Sequence, residues 1–277
     1  MNPPEPSRPP VAPPVAPQPK PFPGFAQSLW VILVYTFFSS ILVIPTFVLR
    51  HLSFPQAAAW TLLLGQVGAL LLTLKACAPR GGNPWSPAFP SRAVPWATWP
   101  LTFAVSAGLI LVTNGLDAWV SHLIPPSAAL RQGPETMGWP GLVLGAPLTE
   151  ESLVRGLILG GFALRYGTRK AILYSALLFG AMHLNLWQFP GAFCMGLFAA
   201  WLTLRTGSLW PAVLAHVLNN LTVTVSRALQ IPYLWDERFQ PLWMWGLGLL
   251  LLGSGLAALD RLTRAPAPRH APQTTGF

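Results

Sequence analysis

Residues 141–164 read GLVLGAPLTEESLVRGLILGGFAL, an apolar run broken near its middle by Glu150, Glu151 and Arg155. A hydrocarbon layer roughly 30 Å thick takes about 20 apolar residues in a helix, so the run from 139 to 164 is long enough to cross one. Seven more runs of the same character lie at about 27–49, 56–77, 98–123, 170–188, 191–204, 208–229 and 241–259, the one at 191–204 being short. Charged residues make up only 9% of the 277 residues and apolar residues 52%, whereas soluble domains carry roughly 25% charged residues. Such a chain cannot cover a water-facing surface. A soluble globular enzyme, a disordered protein and a disulfide scaffold are all excluded. The expected fold class is all-α: a polytopic membrane helical bundle of about eight transmembrane helices.

The ends differ from the middle. Residues 1–25 hold eleven prolines, which lack the amide donor and disfavour helix in the residue before them. This segment reads as a disordered Pro-rich cytoplasmic tail, and not as a signal peptide, because the first apolar run starts late and is too long. Residues 26–260 form the expected transmembrane bundle, with a motif core at 139–229, and 261–277 a flexible C-terminal tail. The Gly- and Pro-rich stretch 79–96 reads as a loop.

Lys and Arg number 17 against 8 Asp and Glu. They stand singly between apolar runs and form no contiguous patch, so the excess speaks for topology, with the lipid bilayer as partner and no nucleic acid. With the N-terminus inside, the inner segments carry Arg8, Lys20, Lys75, Arg80, Arg92, Arg165, Arg169, Lys170, Arg205, Arg261, Arg264 and Arg269; the outer ones carry Arg50, Arg131, Arg227 and Arg238. Twelve against four fits eight spans with both termini cytoplasmic, since cationic residues accumulate on that side. Two cysteines, Cys77 and Cys194, make no disulfide framework.

A charged side chain at mid-membrane costs about 2.5–3.5 kcal/mol on insertion scales, and three unpaired ones on the order of 8 kcal/mol. Glu150, Glu151 and Arg155 must therefore face the bundle interior. Glu151 and Arg155 are four residues apart, on one helix face and within pairing reach, which suits a structural ion pair. Glu150 is turned about 100° away and is left without a partner.

Two other runs carry groups that suit it. Phe179 and His183 are four apart in the run 170–188, and His216 and Asn220 four apart in 208–229, with Asn219 turned away from Asn220. Imidazole passes protons near pH 7. A carboxylate and one imidazole can deprotonate a water, while a second imidazole and an amide donate to the oxyanion formed at a carbonyl. The same residues leave a second chemistry open, because Glu150, His183 and His216 are also suitable zinc ligands. Ser152 has no evident base in its own helix, and neither cysteine sits in a nucleophile motif.

The motifs EExxxR (Glu150–Arg155), FxxxH (Phe179–His183) and HxxxN (His216–Asn220), in that order on successive helices, resemble the CPBP family of intramembrane proteases. That family includes the type II CAAX prenyl endopeptidases and the bacteriocin-processing and self-immunity proteins often called the Abi family. The resemblance spans roughly 139–229. It implies an eight-helix fold, Glu150 as the catalytic glutamate, His183 sharing its water, and His216 with Asn220 stabilising the oxyanion. It further implies supporting roles for Glu151, Arg155 and Phe179, and a glutamate-dependent mechanism without a metal cofactor. Eukaryotic members remove the last three residues after a prenylated cysteine.

The expected function is thus an intramembrane endopeptidase of a bacterial cell membrane, cutting a membrane-associated peptide or protein near the cytoplasmic side. A non-catalytic immunity or assembly protein of the same fold is the alternative, and a proton-coupled transporter a more distant one, since no paired repeat is visible. Oligomeric state is not legible.

Overall fold

The computed structural model describes residues 21–81, 89–125, 138–234, 236 and 238–264. Residues 1–20 of the Pro-rich tail, 82–88 of the expected loop and 265–277 of the C-terminal tail lie outside them, as do Arg8, Lys20, Arg131 and Arg269. Eight helical segments make up the described chain: α1 (Phe25–His51), α2 (Pro55–Gly81), α3 (Thr98–Leu123), α4 (140–166), α5 (Thr168–Met182), α6 (Phe189–Thr206), α7 (Trp210–Ala228) and α8 (Leu242–Thr263). Each coincides with one of the eight apolar runs. Four of them, α1, α2, α3 and α8, are long and apolar enough to cross a membrane.

The other four miss that standard for physical reasons. α4 carries Glu150, Glu151 and Arg155 at its middle. α5 has 15 residues, about 22 Å at about 1.5 Å per residue, short of a bilayer core. It stops at Met182 rather than running on to 188, because Leu184 takes a left-handed φ of 49° and turns the chain. At the other boundaries helix outruns expectation: α2 continues through Pro79 to Gly81, into the stretch read as loop, and α8 reaches Thr263.

α4 is the axis of the bundle. Every residue from Glu151 to Leu159 is buried, the condition of a helix that is covered all round. Leu153, Val154, Ile158 and Phe162 pack with Val31 and Tyr35 of α1, Leu70 and Leu74 of α2, Phe179 of α5 and Ala199 of α6. The flanking helices turn apolar side chains outward, including Leu33 and Phe37 on α1, Leu64 on α2 and Leu242 on α8, the last 88% exposed. Apolar cover of this extent has no place in water. The protein is an integral membrane protein. α3 and α8 meet over small residues: a Cβ on Gly108 would lie 2.5 Å from the Leu252 amide nitrogen, and one on Gly255 2.6 Å from Val105. Close backbone approach over glycine is how helices associate in lipid.

Contacts between loops sort the helix ends. At one end the Phe25 amide donates to the Tyr166 hydroxyl (3.0 Å), Arg80 lies 4.2 Å over the Trp30 ring, the Arg92 amide donates to the Gly207 carbonyl (3.2 Å), and Arg205 pairs with Asp260 (2.5 Å). At the other end Trp187 donates to the Ile124 carbonyl and His122 stacks on Phe239 at 4.0 Å. Basic residues thus gather at the first end.

Candidate active site

α4 is not a uniform helix. Pro140–Gly145 and Ser152–Ile158 are π-helical, on either side of an α-helical turn Ala146–Glu151. Such wide turns occur often at functional sites, and here Pro147 gives one of them a consequence. The Ala146 amide donates five residues back, to Gly141. In that register the next donor would be residue 147 to Leu142, but proline has no N–H. The Leu142 carbonyl is instead taken by Nδ2 of Asn220, at 2.8 Å. A missing backbone donor on α4 therefore fixes a side chain of α7.

That bond settles the Asn220 amide. Its Nδ2 donates to Leu142, so its Oδ1 is the acceptor, and Nδ2 of Asn219 donates to it at 3.1 Å. Of the two N–H donors Asn220 carries, one is thereby committed. Asn219, expected to point elsewhere, is brought to the same place.

The two glutamates part as their helical spacing predicts. Glu151 is 0% exposed; its Oε2 lies 3.2 Å from Nε of Arg155, and its Oε1 lies 2.9 Å from Nδ1 of His216 on α7. Arg155 in turn sits 4.2 Å over the Phe179 ring, which meets His183 and His216 in T-shaped contacts with ring centres 5.1 Å and 5.6 Å away. Phe179 is the hub on which the three motifs pack. Glu150 is only half-buried and faces a cavity.

Both imidazoles are held through Nδ1. His183 caps α5, and its Nδ1 lies 2.9 Å from the Phe179 carbonyl, one of the carbonyls a helix end leaves unpaired. A carbonyl only accepts, so Nδ1 carries the proton and Nε2 is the basic atom of the neutral ring. By the same logic His216 donates from Nδ1 to the Glu151 carboxylate.

Glu150, His183, His216 and Asn220 all line one cavity of about 520 Å³, together with Phe179 and Asn219. Glu151 and Arg155 stand behind its wall. Further polar residues on that wall or beside it escaped sequence reasoning. Asp117 and Asn114 of α3 and Gln66 of α2 line the cavity, and the Tyr35 hydroxyl donates to Thr149 (3.1 Å) next to Glu150. Asp117 lay in plain view as a charge inside an apolar run, the same signal that exposed Glu150.

Among the described residues no three His, Cys, Asp or Glu side chains stand together as a metal-holding group. The cavity runs from the level of Phe179 and His216, at mid-bundle, to Asp117 and the turn Leu184–Gln188, toward the end opposite the basic residues. The cavity thus opens away from the end at which α1 begins and α8 finishes.

The family model described as type II CAAX prenyl endopeptidase Rce1-like matches residues 132–222. No curated protein matches the chain, and no solved structure does.

Proposed function

We propose that the chain is an intramembrane endopeptidase hydrolysing a peptide bond of a membrane-associated peptide or protein, a reading supported by the match of residues 132–222 to the family model described as type II CAAX prenyl endopeptidase Rce1-like. The observation that carries this reading is the meeting of Glu150, His183, His216 and Asn220, from three helices, on one cavity wall.

The chemistry follows from the hydrogen bonds. A water between Glu150 and His183 gives up a proton to the carboxylate, assisted by the free Nε2 of His183, and its oxygen attacks the scissile carbonyl carbon. The carbonyl oxygen becomes an oxyanion, which takes the uncommitted N–H of Asn220 and a proton-bearing Nε2 of His216. With Nδ1–H already given to Glu151, His216 donates from Nε2 only as the cation, and the Glu151 carboxylate 2.9 Å away is its counter-charge. The C–N bond then breaks, the proton held by Glu150 passes to the leaving amine, and the second proton of the water stays on the new carboxyl, so that a carboxylic acid and an amine depart. No covalent intermediate is needed.

Location follows from charge. If the basic end is cytoplasmic, as cationic loops favour, both ends of the described chain face the cytoplasm and the cavity faces the opposite side. That reading replaces cleavage near the cytoplasmic side and suits a substrate reached from the outer half of a bacterial membrane. The test is reconstitution of the full chain in proteoliposomes with quenched-fluorescence peptides. Cleavage lost in both His183→Ala and His216→Ala supports the reading; cleavage retained in both rejects it.

A further inference from the structure

We infer that the cavity receives a positively charged side chain of its substrate, held by Asp117 on α3 with Gln66 on α2 as a second acceptor. The inference deepens the protease reading and takes from it only that a peptide enters this cavity.

The acidic groups on the cavity wall are Glu150 and Asp117, and among the described residues lining it there is no Lys or Arg. Two of its polar atoms are buried without a hydrogen-bond partner among the described residues: Oδ1 of Asp117 and Oε1 of Gln66. Both are acceptors. Buried acceptors are nearly always met by a donor, so the wall is short of donors. Ammonium supplies three N–H donors and guanidinium five, and neither accepts.

Glycines shape this wall. A Cβ at Gly191 would lie 3.6 Å from Oδ2 of Asp117, in ordinary contact with it, and one at Gly145 would collide with Oε1 of Gln66, so that the Gln66 amide fits against α4 only because Gly145 has no side chain. Asn114, one turn before Asp117, lies on the same wall and adds a neutral amide. A peptide entering with a C-terminal carboxylate at this wall would meet like charge; one entering with an internal Lys or Arg would meet its complement. The substrate class is therefore a segment with a basic residue near the scissile bond.

The experiment uses the full chain in detergent micelles with peptides differing at one position, Arg, Lys, Gln or Glu, scanned through the three residues on each side of the cut. Wild type is expected to favour Arg or Lys over Gln at one position by at least tenfold in kcat/KM. Asp117→Asn should bring that ratio to about one, and Asp117→Lys should turn it toward Glu. Anisotropy of the same Arg and Gln peptides, labelled and with the scissile bond N-methylated, reads binding separately. Cleavage without a basic preference, or a preference that survives both Asp117 variants, overturns the inference and leaves the protease reading standing. Arg-selective binding lost in Asp117→Asn, with no cleavage of any peptide, sustains the inference and overturns the protease reading.

Discussion

Nδ1 of His216 lies 2.9 Å from Oε1 of Glu151, across the interface between α7 and α4. Glu151 is thus more than the partner of Arg155: it holds the direction of a ring on the cavity wall. The adjacent glutamate, Glu150, has the opposite situation, half-buried and facing the cavity. One dipeptide supplies a buried anchor and a group free to do chemistry.

Glu151→Gln should be mainly a stability variant. It leaves the fully buried Arg155 without its counter-charge, and breaking a buried pair on one side costs about 3–5 kcal/mol. Unfolding in micelles should register that loss, while Glu150→Gln stays within about 0.5 kcal/mol of wild type, the scale of a surface-like substitution. Equal stability of the two variants would contradict this division of roles.

Pro147→Ala should impair catalysis while sparing the helix. The restored amide hydrogen competes for the Leu142 carbonyl, and Asn220 loses the bond that fixes it. Removing an oxyanion donor costs about 100- to 1,000-fold in kcat; Asn220→Ala should fall in that range, and Pro147→Ala should share part of the loss. Full activity of Pro147→Ala beside a crippled Asn220→Ala would show that the proline does not position the amide.

Membrane sidedness can be read by thiol labelling after Cys77 and Cys194 are replaced by serine. A cysteine at Arg264 should react with an impermeant reagent only in inverted vesicles, and one at Phe239 only in right-side-out cells. The reverse pattern would turn the cavity toward the cytoplasm.

Much of this was legible in the chain. The eight apolar runs fall on eight helical segments, because burial in lipid or in the bundle demands continuous apolar helix. The separation of Glu150 from Glu151 follows from about 100° per residue. Periodicity could not reach the rest. The bond from His216 to Glu151 joins positions 65 apart, and the hold of Asn220 on Leu142 depends on a π-turn that hydropathy does not encode. Asp117 was missed for a different reason: a single acid in α3 draws less notice than three charges together in α4, although the cost that singled them out applies to it equally.

The central claim is that Glu150 activates the attacking water. The most direct measurement is the cleavage rate of Glu150→Gln against wild type, in the same micelles, on the best-cleaved peptide and with folding verified. Positioned acid–base catalysis contributes about 100- to 10,000-fold, so the rate should fall by at least about 100-fold. A folded Glu150→Gln protein that cleaves within about threefold of wild type would contradict the account.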